Sequence, residues 1–312
     1  MTLQQLEYII ALDTYRHFGK AALHCNIAQP SLSVQIQKLE EELKTTIFSR
    51  NKMPITPTET GIIIIEQARK IIAESATMSQ LVQQQKNTIE GNLKIGVIPT
   101  LAPYLLPLFL LEFIKKYPAV SLNVSELTTD KIIRRLKNGM LDIGILATPL
   151  SQKELQETFL FNEEFVAYVS KKEKIFAKKY LLPADIDVNK MWLLEEGHCL
   201  RSQTINLCEL QKMSSVQKHL DFETGSIETL KKFVEKNEGI TLLPELATID
   251  MSAAKKAMLR YFKSPAPVRE ISMVTNKGFV KTRLANILKE SILEHLPREV
   301  SNKKTIKRID ID

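Results

Sequence analysis

The chain has 312 residues, 44% of them hydrophobic and 25% charged, which predicts two or three domains of ordinary globular composition. The start MTLQQLEYII lacks the basic segment and cleavage site of a secretory leader, and the longest apolar runs fall far short of the roughly 20 residues of a membrane span. Three cysteines are too few, and odd in number, for a secreted disulfide framework, so no membrane association and a reducing cytoplasm are expected. The net charge of +7 invites a nucleic-acid partner, but residues 1–90 carry nine Lys or Arg against nine Asp or Glu, so charge alone does not identify one.

Residues 2–15 place Leu3, Leu6, Ile9, Ile10 and Leu12 at helical spacing. A short second helix is predicted around Phe18, Ala21, Ala22 and Leu23, with Cys25 at its end as core packing. A third starts at Pro30, with Leu32, Ile36, Leu39 and Leu43 on one face; the missing N–H of proline costs nothing in a first turn. Two short helices across a tight turn make a helix-turn-helix, and the stretch from Ile47 to Pro57 reads as a hairpin wing. From Thr58 to Lys86 the pattern Ile64, Ala68, Ile71, Ser75, Met78, Val82 alternates four- and three-residue steps, the seam of a coiled coil. A long helix with one apolar stripe needs cover, and a second copy of the chain is the expected cover; packing on its own domain is the alternative.

Gly91 is expected to end that helix, after which strands and helices alternate. LKIGVI (93–98), SLNVSEL (121–127), DIGILA (142–147), FVAYVS (165–170), WLLEE (192–196), GITLLPE (239–245) and ISMVT (271–275) read as strands, interleaved with helices to Tyr117, over 130–138, over 226–236 and to about His295. This predicts a parallel sheet in two α/β subdomains with a cleft beyond the carboxyl ends of the strands. The expected domains are 1–58, a linker helix 59–90, and a regulatory domain 91–300 divided into 91–162 with 267–300 and 163–266; the basic tail 301–312 is expected to be solvated and disordered.

Phe18, Ala21, Ala22, Gln29-Pro30-Ser31-Leu32-Ser33, Gln35-Ile36, Leu39-Glu40, Leu43 and Ile47-Phe48 with Arg50 resemble the amino-terminal signature of the LysR family of transcriptional regulators, at that family's spacing, and the resemblance extends to about residue 296. Lys44-Thr45 stands where a glycine is usual, and the wing NKMPITPTETG is a variant. The resemblance implies an all-α winged helix-turn-helix with a long linker helix, followed by an α/β effector domain like the periplasmic binding proteins. Double-stranded promoter DNA and RNA polymerase are the implied partners, with homodimers that pair into homotetramers. Gln29, Pro30, Ser31, Ser33 and Gln35 are candidates for base edges and phosphates, and Lys38 and Arg50 for phosphate or minor-groove contacts.

The segment GHCLRSQTINLC (197–208) carries the most distinctive chemistry. A thiolate is the form of cysteine that attacks a peroxide, and cationic or hydrogen-bonding neighbours such as His198 and Arg201 favour it. Gly197-His198-Cys199-Leu200-Arg201 with Cys208 resembles the redox segment of the peroxide-sensing members of the LysR family, and Ile98-Pro99-Thr100 with Pro103-Tyr104-Leu105-Leu106-Pro107 resembles the stretch lining their pocket. The resemblance implies hydrogen peroxide as signal, Cys199 as the reactive thiol, Cys208 as its disulfide partner, and a cellular thiol reductant that resets the pair. It assigns Thr100, Thr129, His198, Arg201 and Arg269 to the pocket. If residues 200–208 are helical, the two Cα atoms stand roughly 13 Å apart, too far for a disulfide, so oxidation must remodel the segment.

No cofactor and no metal are expected, since Cys199, Cys208 and His198 lack the close pairing of structural zinc sites. Two other functions share parts of this pattern. A regulator sensing an organic metabolite would have the same fold and no need for the thiol pair, and a thiol peroxidase would share the first chemical step and no need for a recognition helix. The expected protein is not an enzyme.

Overall fold

The structure is a computed structural model and describes residues 1–49, 54–83, 89–195, 199–207, 224–301 and 307–308. It divides into two compact units, residues 1–88 with 137–140, and residues 89–136 with 141–312.

In the first unit, α1 (Leu3–Tyr15) opens on a capping box in which Thr2 and Gln5 satisfy each other's backbone N–H groups. The ring of His17 caps α2 (Phe18–His24) by accepting from the N–H of Gly19 at 3.1 Å. Helix α3 (Gln29–Glu42) carries Leu32, Ile36 and Leu39 into a core shared with Leu6, Ile9, Leu12, Ala21 and Ala22, each large member contributing about 1.5–3 kcal/mol by its burial. Two expected core positions face outward: Leu23 is 79% exposed, and Leu43, the C-cap of α3, is 37% exposed. The expected wing is a short antiparallel pair, β1 (Phe48–Ser49) with β2 (Thr56–Pro57). Its first strand is held by one carboxylate oxygen of Glu40, which accepts from the N–H groups of Ile47 and Phe48.

Helix α4 (Glu59–Gln83) differs from the simple seam its spacing predicts. Ala68 is buried in the amino-terminal core together with Ile65, and Ile64 and Ile71 pack against it. Arg69 is paired with Asp13 of α1 at 2.8 Å. The first half of the stripe therefore covers its own domain, because α1 lies along it. Met78 is 70% exposed, and the side chain of Val82 falls outside the described residues. Gly61 marks the closest approach: a β-carbon there would lie 2.0 Å from the carbonyl oxygen of Ile47.

In the second unit the described elements run β3 (Gly91–Val97), α5 (Ala102–Lys116), β4 (Val120–Glu126), α6 (Thr129–Lys137), β5 (Ile143–Thr148), β6 (Leu155–Val169), β7 (Tyr180–Leu181), α7 (Cys199–Leu207), α8 (Ile227–Lys236), β8 (Ile240–Pro244), α9 (Ala253–Lys256), β9 (Leu259–Phe262), β10 (Pro267–Asn276), α10 (Thr282–Glu294), α11 (Arg298–Ser301) and β11 (Lys307–Arg308). Gly91 opens β3 and is not the end of α4, whose last described residue is Gln83. Strands β4, β3 and β5 are parallel as expected, but the sheet is mixed: β10 runs antiparallel to both β5 and β6. Strand β6 pairs with β10 through Glu164, then from Phe165 onward with β8, and through Val166–Tyr168 with β9. One continuous strand thus serves two apolar clusters, the first around Leu93, Ile95, Ile143, Phe109 and Leu288, the second around Phe165, Tyr168, Leu230 and Leu243.

The expected strand at 192–196 is not formed over its described residues. Met191 makes one isolated bridge to Ile240 and the Trp192 backbone N–H donates to the Ile240 carbonyl at 2.8 Å, but the Trp192 carbonyl is taken by the Thr241 hydroxyl at 2.9 Å and the ladder goes no further. Of the tail, Lys307 and Arg308 pair with Pro267 and Val268, where a wholly disordered segment was expected; its other residues after Ser301 lie outside the described set.

Candidate functional site

Two constellations were expected, one on α3 and one beside Cys199. On α3, Gln29 and Pro30 form the first turn with Ala28 in the cap position, and no side chain caps the helix. Ser31 and Ser33 therefore do not serve as caps, and the unpaired N–H groups of that turn suit an anion. Gln29, Pro30, Ser31 and Lys38 are exposed. Ser33 and Gln35 are half-buried, and Gln35 accepts from the amide of Gln5 on α1 at 3.4 Å, which turns its carbonyl towards the protein. Val34, 49% exposed, is apolar and so carries no polar signal, but its place one turn after Ser31 and one before Lys38 puts it on the same outward face. Arg50 lies outside the described residues.

In the second unit, Thr100 follows β3 and Thr129 follows β4. Because Val97 pairs with Glu126 in register, each threonine stands three residues beyond the same rung, at the carboxyl ends of adjacent parallel strands. Thr100 is 1% exposed and Thr129 8%. The Thr129 hydroxyl has no hydrogen-bond partner among the described residues, a state that costs about 1–3 kcal/mol unless something occupies it.

Thr100 is tied to Arg269 of β10. The guanidinium Nη1 donates to the Thr100 hydroxyl oxygen at 2.9 Å and Nη2 to its carbonyl at 3.2 Å. Arg269 is held in turn by Glu163, its cross-strand partner on β6, through Nε at 2.8 Å and Nη2 at 2.7 Å to the same carboxylate oxygen. The other oxygen of Glu163 accepts from the N–H of Leu246 at 2.8 Å. Both charged side chains are fully buried, so removing either one alone costs about 3–5 kcal/mol. Thr100 and Arg269 were expected at one site and are brought together; Glu163 was not anticipated.

Cys199 is the first residue of α7, 5% exposed, at a helix end whose peptide dipoles favour an anion. Its sulfur belongs to the first apolar cluster, while Leu200 and Leu207 of the same helix belong to the second. Arg201 donates to the carbonyl of Leu194 at 2.7 Å and lines a small groove with Trp192, Leu200, Thr204 and Leu242. His198 and Cys208 lie outside the described residues. Cys25, half-buried at the end of α2, has its thiol pushed up by burial and by the nearby charge of Glu7, the opposite of what a reactive thiol needs.

Tyr104 of α5 packs against both clusters and donates to Glu228 of α8 at 2.9 Å. Burial, then that hydrogen bond and charge, lift its phenol above the ordinary tyrosine range. Burial opposes ionisation of Glu228, but hydrogen bonds from Lys231 and Tyr104 outweigh it and hold the carboxyl below its usual value.

No helix among the described residues is long and apolar enough to cross a membrane. The pattern of the bacterial regulatory helix-turn-helix protein, lysR family, matches residues 3–62, and that of the LysR substrate binding domain matches residues 86–297. The chain is 34% identical over 279 residues to the hydrogen peroxide-inducible genes activator of Haemophilus influenzae, which spans 89% of this chain and 91% of that one. It is 33% identical over 278 residues to the DNA-binding transcriptional dual regulator OxyR of Escherichia coli, 89% of this chain and 90% of that one. The fold is similar to that of full-length OxyR C199D from Pseudomonas aeruginosa, with a TM-score of 0.78 and 31% identity over 95% of this chain and 99% of that one. With a recognition helix, a long following helix and a two-cluster α/β unit matched in order along one chain, this protein belongs to the LysR family of bacterial regulatory helix-turn-helix proteins.

Proposed function

We propose that this chain is a regulator of transcription that binds promoter DNA through α3 and its wing, and is switched by hydrogen peroxide acting on Cys199. The observation that carries the peroxide reading is Cys199 itself, a buried thiol at the amino end of a helix that joins two apolar clusters. A change of covalent state there moves the helix, and the relatives named for peroxide-inducible genes supply the signal. The Cys199 sulfur attacks one peroxide oxygen; an S–O bond forms, the O–O bond breaks, and the second oxygen leaves as hydroxide and is protonated to water. Sulfur loses two electrons and peroxide gains them. The Cys208 thiol then displaces water from the sulfenic acid to form a disulfide, and two equivalents of a cellular thiol reductant restore the pair.

The peroxide would lie near Thr100 and Thr129, with His198, Arg201 and Arg269 as further pocket residues. On the DNA side the contacts would come from Gln29, Pro30, Ser31, Ser33, Gln35, Lys38 and Arg50. The functional divisions are a DNA-binding domain 1–58, a linker helix 59–90 and a sensing domain 91–300 of two subdomains. Copies of the chain associate as dimers and tetramers in the cytoplasm, present paired recognition helices to a two-fold operator, and engage RNA polymerase.

Promoter activation by micromolar peroxide, measured for the wild type and for Cys199→Ser, tests this. Loss of the response in the variant with DNA binding retained is the expected result. A full response from Cys199→Ser, or no Cys199–Cys208 crosslink by mass spectrometry after mild oxidation, overturns the switch. Sustained peroxide turnover with a thiol reductant, in place of one equivalent consumed, would make it a peroxidase.

A further inference from the structure

We propose that Glu163 is a positioning residue for the peroxide site, acting through Arg269 to fix the Thr100 hydroxyl as a hydrogen-bond donor. The inference rests on the peroxide reading above and adds to it a residue and a direction of hydrogen bonding.

A threonine hydroxyl has one proton to give and two lone pairs to receive, and it rotates to suit its surroundings. Here rotation is constrained. Arg269 Nη1 donates to the Thr100 oxygen at 2.9 Å, and a guanidinium can only donate. Among the described residues the hydroxyl has no acceptor for its own proton, although Thr100 is only 1% exposed. Its proton is therefore left for a ligand at the carboxyl end of β3. A cationic donor on the acceptor side also polarises the O–H bond and strengthens it as a donor.

What fixes the guanidinium is Glu163. The register of β6 against β10 sets Arg269 opposite Glu163, and one carboxylate oxygen takes Nε at 2.8 Å and Nη2 at 2.7 Å. That grip leaves Nη1 to reach Thr100. The second carboxylate oxygen is taken by the N–H of Leu246 at 2.8 Å, so the carboxylate cannot swing to accept from Thr100 itself. Glu163 lies at the last rungs of β6 against β10, just before that strand passes to β8, where its backbone is paired on both sides of the change.

A donor of fixed direction suits a small hydroperoxide. As the Cys199 sulfur bonds to one oxygen, the other gathers negative charge and leaves as hydroxide; a hydrogen bond aimed at that oxygen stabilises the charge as it develops, and Thr100 keeps its proton. An alkylating reagent such as iodoacetamide needs the same thiolate and the same access but expels iodide, which gains little from a hydroxyl donor.

The test compares two rates for Cys199 in the full-length chain, oxidation by hydrogen peroxide and alkylation by iodoacetamide. Glu163→Gln is expected to slow oxidation roughly tenfold while alkylation stays within about twofold of wild type. Thr100→Val is expected to do the same, and the double variant to be no slower than Thr100→Val, because both changes remove one interaction. Should Glu163→Gln leave an unfolded chain, Glu163→Gln with Arg269→Gln removes both buried charges together and is expected to show the same selective loss. Oxidation at the wild-type rate in either variant overturns the inference. So does a fall in both rates together, or a loss that repeats undiminished in the Thr100→Val background. A wild-type thiol that alkylates but does not react with peroxide would instead remove the peroxide reading.

Discussion

Replacing Leu207 by alanine probes the remodelling that a Cys199–Cys208 disulfide demands. Helix α7 spans Cys199–Leu207, so its ends lie about 12 Å apart at 1.5 Å per residue, with Cys208 one residue further along the chain. A disulfide requires Cα atoms within about 7 Å, so the proposed switch requires the oxidised form to lose most of α7 and with it the burial of Leu200 and Leu207. Leu207 is 8% exposed in the second cluster, and its truncation at a helix end costs the reduced form about 2 kcal/mol. If the oxidised form has already released Leu207, the cost falls on the reduced form alone. Oxidation is then easier by the same amount, and the potential moves about 40 mV more negative, at 30 mV per 1.4 kcal/mol. Equilibration in glutathione buffers, acid quenching and mass counting of labelled thiols measure it. Leu243→Ala, fully buried in β8, is the control and should destabilise both forms without a shift. A potential for Leu207→Ala within about 10 mV of wild type would mean that Leu207 stays packed after oxidation, and the remodelling would be refuted.

Gly61→Ala should lower the stability of the amino-terminal unit by about 1–3 kcal/mol, since the added carbon meets the Ile47 carbonyl at 2.0 Å. Circular dichroism melting shows the loss, and operator binding weakens while Cys199 chemistry is unchanged. Lys38→Gln should weaken binding uniformly across duplex sequences and reduce the slope of log K against log salt by about 1, read from titrations at several salt concentrations. Tyr104→Phe removes the bond to the half-exposed Glu228 and should cost about 1 kcal/mol in urea unfolding with an unchanged m-value.

The amino-terminal unit is largely legible in the sequence, because each helix shows its apolar face at a helical period and Pro30 and the Gln-Pro-Ser turn mark where α3 starts. The α/β alternation gives the strands but not their directions. A run such as ISMVT, buried on both faces, looks alike in a parallel or an antiparallel setting, and β6 and β10 are antiparallel. WLLEE fails as a strand for a local reason, the hydroxyl of Thr241 taking the Trp192 carbonyl in place of a neighbouring ladder. The coiled-coil spacing in α4 is real, but periodicity says nothing of what covers it, and Ile65 and Ala68 are covered by α1 and its neighbours. Glu163 was invisible. In FNEEFV it is one acid beside another, and only strand pairing with a residue more than a hundred positions away shows which of the two is buried.

The placing of Cys199 among the apolar side chains of the first cluster has its own bearing on timing. A thiol is nearly an apolar group and sits there at little cost. Gaining one oxygen makes it bulkier and adds a hydroxyl that must find a donor or acceptor in a close-packed region, or be driven out at a penalty of about 1–3 kcal/mol. Since Leu200 and Leu207 anchor the same helix elsewhere, expulsion of residue 199 strains the whole of α7. In the proposed switch, the unwinding that brings two sulfurs together would then start with the first oxygen, without waiting for a chance opening of the native helix.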